Sequence, residues 1–109
     1  MARPDALQGS LPLLVLKLLA SRGPLHGYGL ATQIEAISED VLRVEEGSLY
    51  PALHRLEESG WIDAKWVITA NKRRARVYEI TDEGRRYLDT EAVRWRAITD
   101  AVGRILSLA

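Results

Sequence analysis

Cysteine is absent from the 109-residue chain. That excludes disulfides and thiolate zinc sites, and it allows a reducing compartment. Histidine is nearly as scarce, with two residues. His54 and Glu58 stand four apart on one helix face, but so few ligands do not complete a metal site, and neither metal nor cofactor is expected. Long apolar runs are missing as well. Met1–Ser10 is polar, and the run Leu11–Ala20 is interrupted by Lys17 and far shorter than the roughly 20 residues of a membrane span. A cytoplasmic protein without a membrane partner is expected. No Ser/His/Asp spacing, phosphate loop or carboxylate pair stands out, so no enzyme is expected. Nor does any repeat, linker or low-complexity segment divide the chain. With 47% hydrophobic and 28% charged residues, it reads as one globular domain, short enough that a partner is useful to cover surplus apolar surface.

A surplus of either charge is also lacking, with 15 basic and 15 acidic residues. Averaged over the chain, that argues against a polyanion as partner. The distribution argues the other way. Residues 1–50 hold four basic and six acidic residues, whereas 51–109 hold eleven and nine. Within the second half, "NKRRAR" (71–76) has four positive charges and no negative one. Local density decides polyanion binding more than the sum does.

Ser10 reads as the N-cap of a first helix, with Pro12 in its first turn and Gly23-Pro24 as its stop. Leu11, Leu14, Val15, Leu18 and Leu19 form one stripe, and Leu13 and Leu16 make the helix apolar almost all round. Gly27 or its neighbours open a second helix carrying Leu30, Ala31, Ile34 and Ile37. "VLRVEE" (41–46) reads as a short extended connector.

A third helix follows, capped by Ser48 and stopped by Gly60. Leu49, Ala52, Leu53 and Leu56 share one side; Tyr50, Pro51, His54, Arg55 and Glu58 share the other. A merely solvated face is usually rich in Lys and Glu. This one carries an aromatic and a proline near the helix N-terminus, an end that suits phosphate. "WIDAKWVIT" and "ARVYEIT" read as a hairpin around the basic tip "ANKRR", with Trp61 and Trp66 assigned to the core. Thr81 caps a final helix in which Leu88, Ala92, Trp95, Thr99, Val102 and Leu106 recur in alternating steps of four and three, the heptad's 3.5-residue period, flanked by Ile98 and Ile105. That period marks a pairing seam. The order is thus helix, helix, short strand, helix, hairpin, long helix: a mainly α fold with a small β-hairpin, the layout of a winged helix-turn-helix. Residues 1–80 would form that unit and 81–109 a C-terminal dimerisation helix.

Three stretches resemble the PadR family of bacterial transcriptional regulators: "LQGSLPLLVLKLLASRGPLHGYGLATQIE", "VEEGSLYPALHRLEESGWI" and "RRARVYEITDEGRRYL". Their "LHGY", "GSLYPAL" and "YEITDEG" runs stand in that family's order, and the resemblance covers about residues 7–106. The chain looks like the short subfamily with a single C-terminal helix. The resemblance implies a homodimer whose C-terminal helix, here Thr81–Leu108, packs on the partner's C-terminal and first helices, the latter being Ser10–Ser21. It implies a recognition helix at Ser48–Ser59, a wing at Ala70–Ala75 and Tyr28 near phosphate. In some drug-sensing members a tryptophan between subunits stacks on planar ligands, and Trp95 stands at the matching place.

The expectation is therefore a homodimeric repressor on a pseudo-palindromic double-stranded DNA operator. Tyr28, Ser48, Tyr50, Pro51, His54, Arg55, Lys72, Arg73, Arg74 and Arg76 would contact DNA. Leu88, Trp95, Ile98, Val102, Ile105 and Leu106 would form the dimer seam, where a planar aromatic effector enters beside Trp95, and Arg94 and Arg96 would attract an anionic one. The alternative is a winged-helix protein–protein interaction module, to which four basic residues in the wing would be superfluous.

Overall fold

The computed structural model describes the backbone of residues 4–109 and side chains from Ser10 onward. The Met1–Arg3 part of the polar leader, and of the 1–80 unit, lies outside the described residues. Helix α1 runs Pro4–Arg22, six residues earlier than the expected start. Ser10 is consequently a buried residue inside the helix, and Pro12 is interior as well. The stop is where the sequence puts it: Gly23, at φ +83°, donates its N–H to Leu19.

A two-residue strand β1 (Leu25–His26) comes next, then α2 (Gly27–Ile37), α3 (Glu46–Glu58), β2 (Ile62–Ile68), β3 (Arg74–Ile80) and α4 (Asp82–Leu106). The short strand therefore lies before α2, not in the 41–46 connector. It forms because β3 has a free edge: Leu25 and His26 pair antiparallel with Tyr78 and Val77, which gives the sheet the order β1-β3-β2. The connector instead turns through Glu39 and Asp40, both at positive φ, and is tied down by Leu42 N–H to Ser38 Oγ (3.0 Å) and Val44 N–H to Glu35 Oε2 (2.9 Å).

Helix α3 begins two residues before Ser48; Glu45 is its N-cap residue and makes no side-chain cap bond. Its end is a Schellman motif: Gly60 at φ +79° donates to Glu57 O, and Trp61 N–H to Leu56 O. Leu49, Ala52, Leu53 and Leu56 are buried as the wheel requires. They meet Leu11, Val15, Leu16 and Leu19 of α1, Leu30 and Ile34 of α2, and Ile62, Tyr78 and Ile80 of the sheet. Each fully buried leucine contributes about 1.5–3 kcal/mol. Ile37, expected on the buried stripe of α2, is exposed because it sits in the last turn, past the core.

Two tryptophans part ways. Trp61 stacks on Tyr87 of α4 at a ring separation of 3.7 Å. Trp66 is not a core residue: it is 58% exposed. Strand β2 outruns the core after Ala64, so the inward face of the pleat has nothing beneath it there. Thr81 caps α4 as expected, accepting from Gly84 N–H at 3.0 Å. Leu88 lies in the chain's own core, which removes it from the open seam. Beyond it α4 runs along the start of α1 as far as Ile98 and then projects from the body. The radius of gyration, 15.2 Å, exceeds the about 13 Å of a compact chain this long.

Candidate nucleic-acid interface

The outward face of α3 presents Tyr50, Pro51, His54 and Arg55 to solvent. These residues do not form one flat patch. Ser48, Pro51 and Arg55 line a 230 Å³ hollow shared with Leu11 of α1. Tyr50 lies on the other flank, facing α2 and the hairpin. His54 sits 3.6 Å from Glu58, as an i, i+4 pair. Among the described residues there is no group of three or more potential metal ligands.

A larger groove, 740 Å³, runs between the start of α2, Tyr50 and the hairpin. Tyr28, Arg73, Arg74 and Arg76 all line it, so tertiary structure joins the cations of "KRRAR" to the tyrosines of "LHGY" and "GSLYPAL". Tyr28 is 76% exposed, beside the ring of His26. His26 is the N-cap of α2, its Nδ1 accepting from Gly29 N–H at 3.0 Å. Gly27 sits in close approach: a Cβ there would meet the Tyr50 hydroxyl at 3.0 Å and push that ring aside by a few tenths of an ångström. The glycine of "LHGY" thus makes room for the tyrosine of "GSLYPAL".

The two helix ends differ in charge. The first turn of α3 carries Glu46, next to Glu45, whereas that of α2 carries no acid. An anion is better served by the N-terminus of α2 than by that of α3, where the sequence had suggested it. At the hairpin tip Thr69 N–H donates to Arg73 O (2.8 Å), and Arg73 N–H returns to Thr69 Oγ1 (3.1 Å). Lys72 takes positive φ at the outermost point. Arg74 lies over the Trp66 ring, 4.6 Å from its centroid.

Arg76 is engaged within the protein, its Nη2 donating to both carboxylate oxygens of Glu57 at 3.1 and 2.9 Å. Tyr78, at the groove floor, has its phenol pushed above the ordinary value by burial; Arg76 opposes, and Tyr50 and Glu57 add to the rise. It remains a neutral hydroxyl through the physiological range.

Sequence reading missed Glu57, Trp66, Tyr78 and Asn71 as parts of this region. Only Glu57, at the edge of the polar face of α3, carried a local signal. On α4, Trp95, Ile98, Val102, Ile105 and Leu106 are exposed in a row. Trp95 and Ile98 border a 170 Å³ cleft against Pro12 and Leu13 of α1. Arg94 is paired with Glu91 at its rim (3.4 Å). Of the two arginines expected to attract an anion there, Arg94 is thus already partly neutralised.

Three helices, a three-stranded sheet ending in a basic hairpin, and a projecting apolar helix define a winged helix-turn-helix regulator. Residues 15–90 match the transcriptional regulator PadR-like family. The chain belongs to the PadR-like family, whose members are transcriptional regulators and not enzymes. A transcriptional regulator from Clostridium thermocellum superposes with a TM-score of 0.82 at 27% identity, over 92% of this chain and 96% of that one. A PadR family transcriptional regulator from Eggerthella lenta gives 0.77 at 31%, over 96% and 88%. The negative transcriptional regulator PadR of Bacillus subtilis is 25% identical over 84 residues, 77% of this chain but only 46% of its own length. Among the described residues no helix is long and apolar enough to cross a membrane.

Proposed function

We propose that this regulator is a homodimeric repressor that holds a pseudo-palindromic DNA operator with two copies of the α3 face. Tyr50, Pro51, His54 and Arg55, with Ser48 beside them, would meet base edges in the major groove. Lys72, Arg73 and Arg74 would hold the flanking backbone, and Tyr28 at the positive end of α2 would hold a phosphate. The single observation that carries this reading is the groove between α2 and the wing, where Tyr28, Tyr50, Arg73 and Arg74 converge. Phosphate contacts of this kind position a protein, and base contacts give it its sequence.

The dimer follows from α4. A row of apolar residues left bare in one chain is covered when a second copy packs on it through a two-fold axis. The 81–109 segment would then act as the dimerisation unit, and the 1–80 unit as the DNA-binding head. Two heads would address half-sites about 34–36 Å apart. The two Trp95 side chains would flank a slot between subunits, open to a planar aromatic effector. A ligand that prefers one angle between the heads would release the operator.

Selection of binding sites from random duplex DNA tests the reading. The expected product is an inverted repeat bound by two chains, with sedimentation showing a dimer at micromolar concentration. Enrichment of no sequence, or a monomer on a single half-site, would refute it and favour a protein-interaction module.

A further inference from the structure

We propose that Arg76 is a positioning residue which, held by Glu57, sets the angle of the wing against the recognition helix. The proposal rests on the DNA-binding reading above and revises one part of it, the role expected for Arg76 as a phosphate contact. Strands β2 and β3 are anchored to the core through Ile62, Tyr78 and Ile80. Past that level the hairpin is a two-stranded ribbon whose residues Lys65–Ile68 are all exposed. Such a ribbon has little stability of its own and pivots about its base.

Arg76 occupies the first position beyond that anchor on the inward face, two residues from Tyr78. There a single nitrogen bridges both oxygens of a carboxylate 19 residues away on α3. The cross-strand partner of Arg76 is Trp66. The guanidinium of Arg76 lies 5.7 Å from the centre of that indole, and Arg74 approaches the same ring at 4.6 Å. Glu57, Arg76, Trp66 and Arg74 therefore form a continuous line from the recognition helix to the DNA-facing cations. A charge-assisted bridge of this kind resists being opened. With Nη2 committed to Glu57, only Nη1 and Nε are left to turn toward a phosphate, and the carboxylate beside them offsets the charge that would attract it.

Two mechanisms predict opposite signs. If Arg76 touches phosphate, Glu57→Gln removes a nearby negative charge, frees the guanidinium and tightens DNA binding. If Arg76 positions the wing, Glu57→Gln and Arg76→Gln both weaken operator binding, and the reversed pair Glu57→Arg/Arg76→Glu restores most of it. Hydrogen exchange of the free protein supplies a readout independent of DNA. Amides 66–76 should exchange about fivefold faster in both single variants, the size expected for a partly exposed ion pair, while α1 and α3 stay unchanged. Tighter binding by Glu57→Gln, or unaltered wing exchange, overturns the proposal. If the wild type binds no DNA, the functional reading fails, and exchange alone then decides whether the strut exists.

Discussion

Gly84→Ala should damage this protein out of proportion to the one methyl group it adds. In most helices the exchange stabilises by about 1 kcal/mol, because alanine restricts the unfolded chain and favours the helix. Here a Cβ would stand 2.1 Å from Trp61 O and 2.8 Å from Ile80 Cγ1. The first obstacle is backbone and cannot rotate away. The start of α4 would have to retreat by roughly 1.3 Å to reach an ordinary 3.4 Å contact. That retreat strains Thr81 N–H to Trp61 O (3.0 Å), Thr81 Oγ1 to Gly60 O (2.7 Å) and the cap from Gly84 N–H to Thr81 Oγ1 (3.0 Å).

At about 1 kcal/mol for each of these bonds and about 1–3 for overpacking, less the helix gain of about 1, the net loss is about 4 kcal/mol. Melting should fall by about 16–32 °C at matched protein concentration. Gly47→Ala is the control: nothing lies within 4 Å of its Cβ position, and it should be neutral or stabilising by about 0.5 kcal/mol. Equal melting of Gly84→Ala and wild type would refute the claim that glycine is needed to seat α4 on the sheet.

Replacing Lys72, Arg73 and Arg74 together by Ala should weaken binding to every DNA sequence and flatten the salt slope by up to about 2.7, at 0.9 per lost phosphate contact. A slope identical to wild type by anisotropy titration would remove the wing from the interface. Val102→Asp should dissociate the proposed dimer, since two valines left half-exposed in the single chain, each gaining about half of the 1.5–3 kcal/mol of full burial, would be exchanged for two buried charges. A dimer undiminished in sedimentation would place the seam elsewhere. Planar aromatic compounds should quench tryptophan fluorescence saturably, and Trp95→Ala should abolish that while sparing operator affinity. Quenching that survives the substitution assigns the slot to another residue. The raised phenol of Tyr78 binds its proton more tightly folded than unfolded. Its stability contribution is therefore complete below pH 10.0, the ordinary value, and is lost as pH rises toward the folded value. Tyr78→Phe should flatten the loss of stability above that pH, and a slope unchanged in urea titrations would count against burial of the hydroxyl.

Local pattern was enough wherever a residue's role depends on its near neighbours. The α3 wheel, the Gly23 and Gly60 stops, the Thr81 cap and the hairpin all follow from periodicities of 3.6 and 2 and from conformations only glycine takes easily. The family was legible for a different reason, because "LHGY", "GSLYPAL" and "YEITDEG" are contiguous runs in a fixed order, although their residues meet only across segments in the fold. The start of α1 was not: Ser10 and Pro12 imitate a helix start, yet both lie inside a helix that reaches back to Pro4. The third strand was illegible too, since two residues become a strand only when Tyr78 and Val77 offer an edge.

Along β2 the same alternation runs from Ile62 to Ile68, and nothing in it says where the core ends. That boundary, drawn at Ala64 by the size of the helical layer, put Trp66 in solvent under two arginines. It also left Arg76 within reach of Glu57, a partner 19 residues away that only chain folding could supply. Local periodicity sets which residue types stand on each face. Which of them meet was decided by tertiary distance, because an ion pair, a close Cβ approach and a covered apolar face are relations between segments that no single segment encodes.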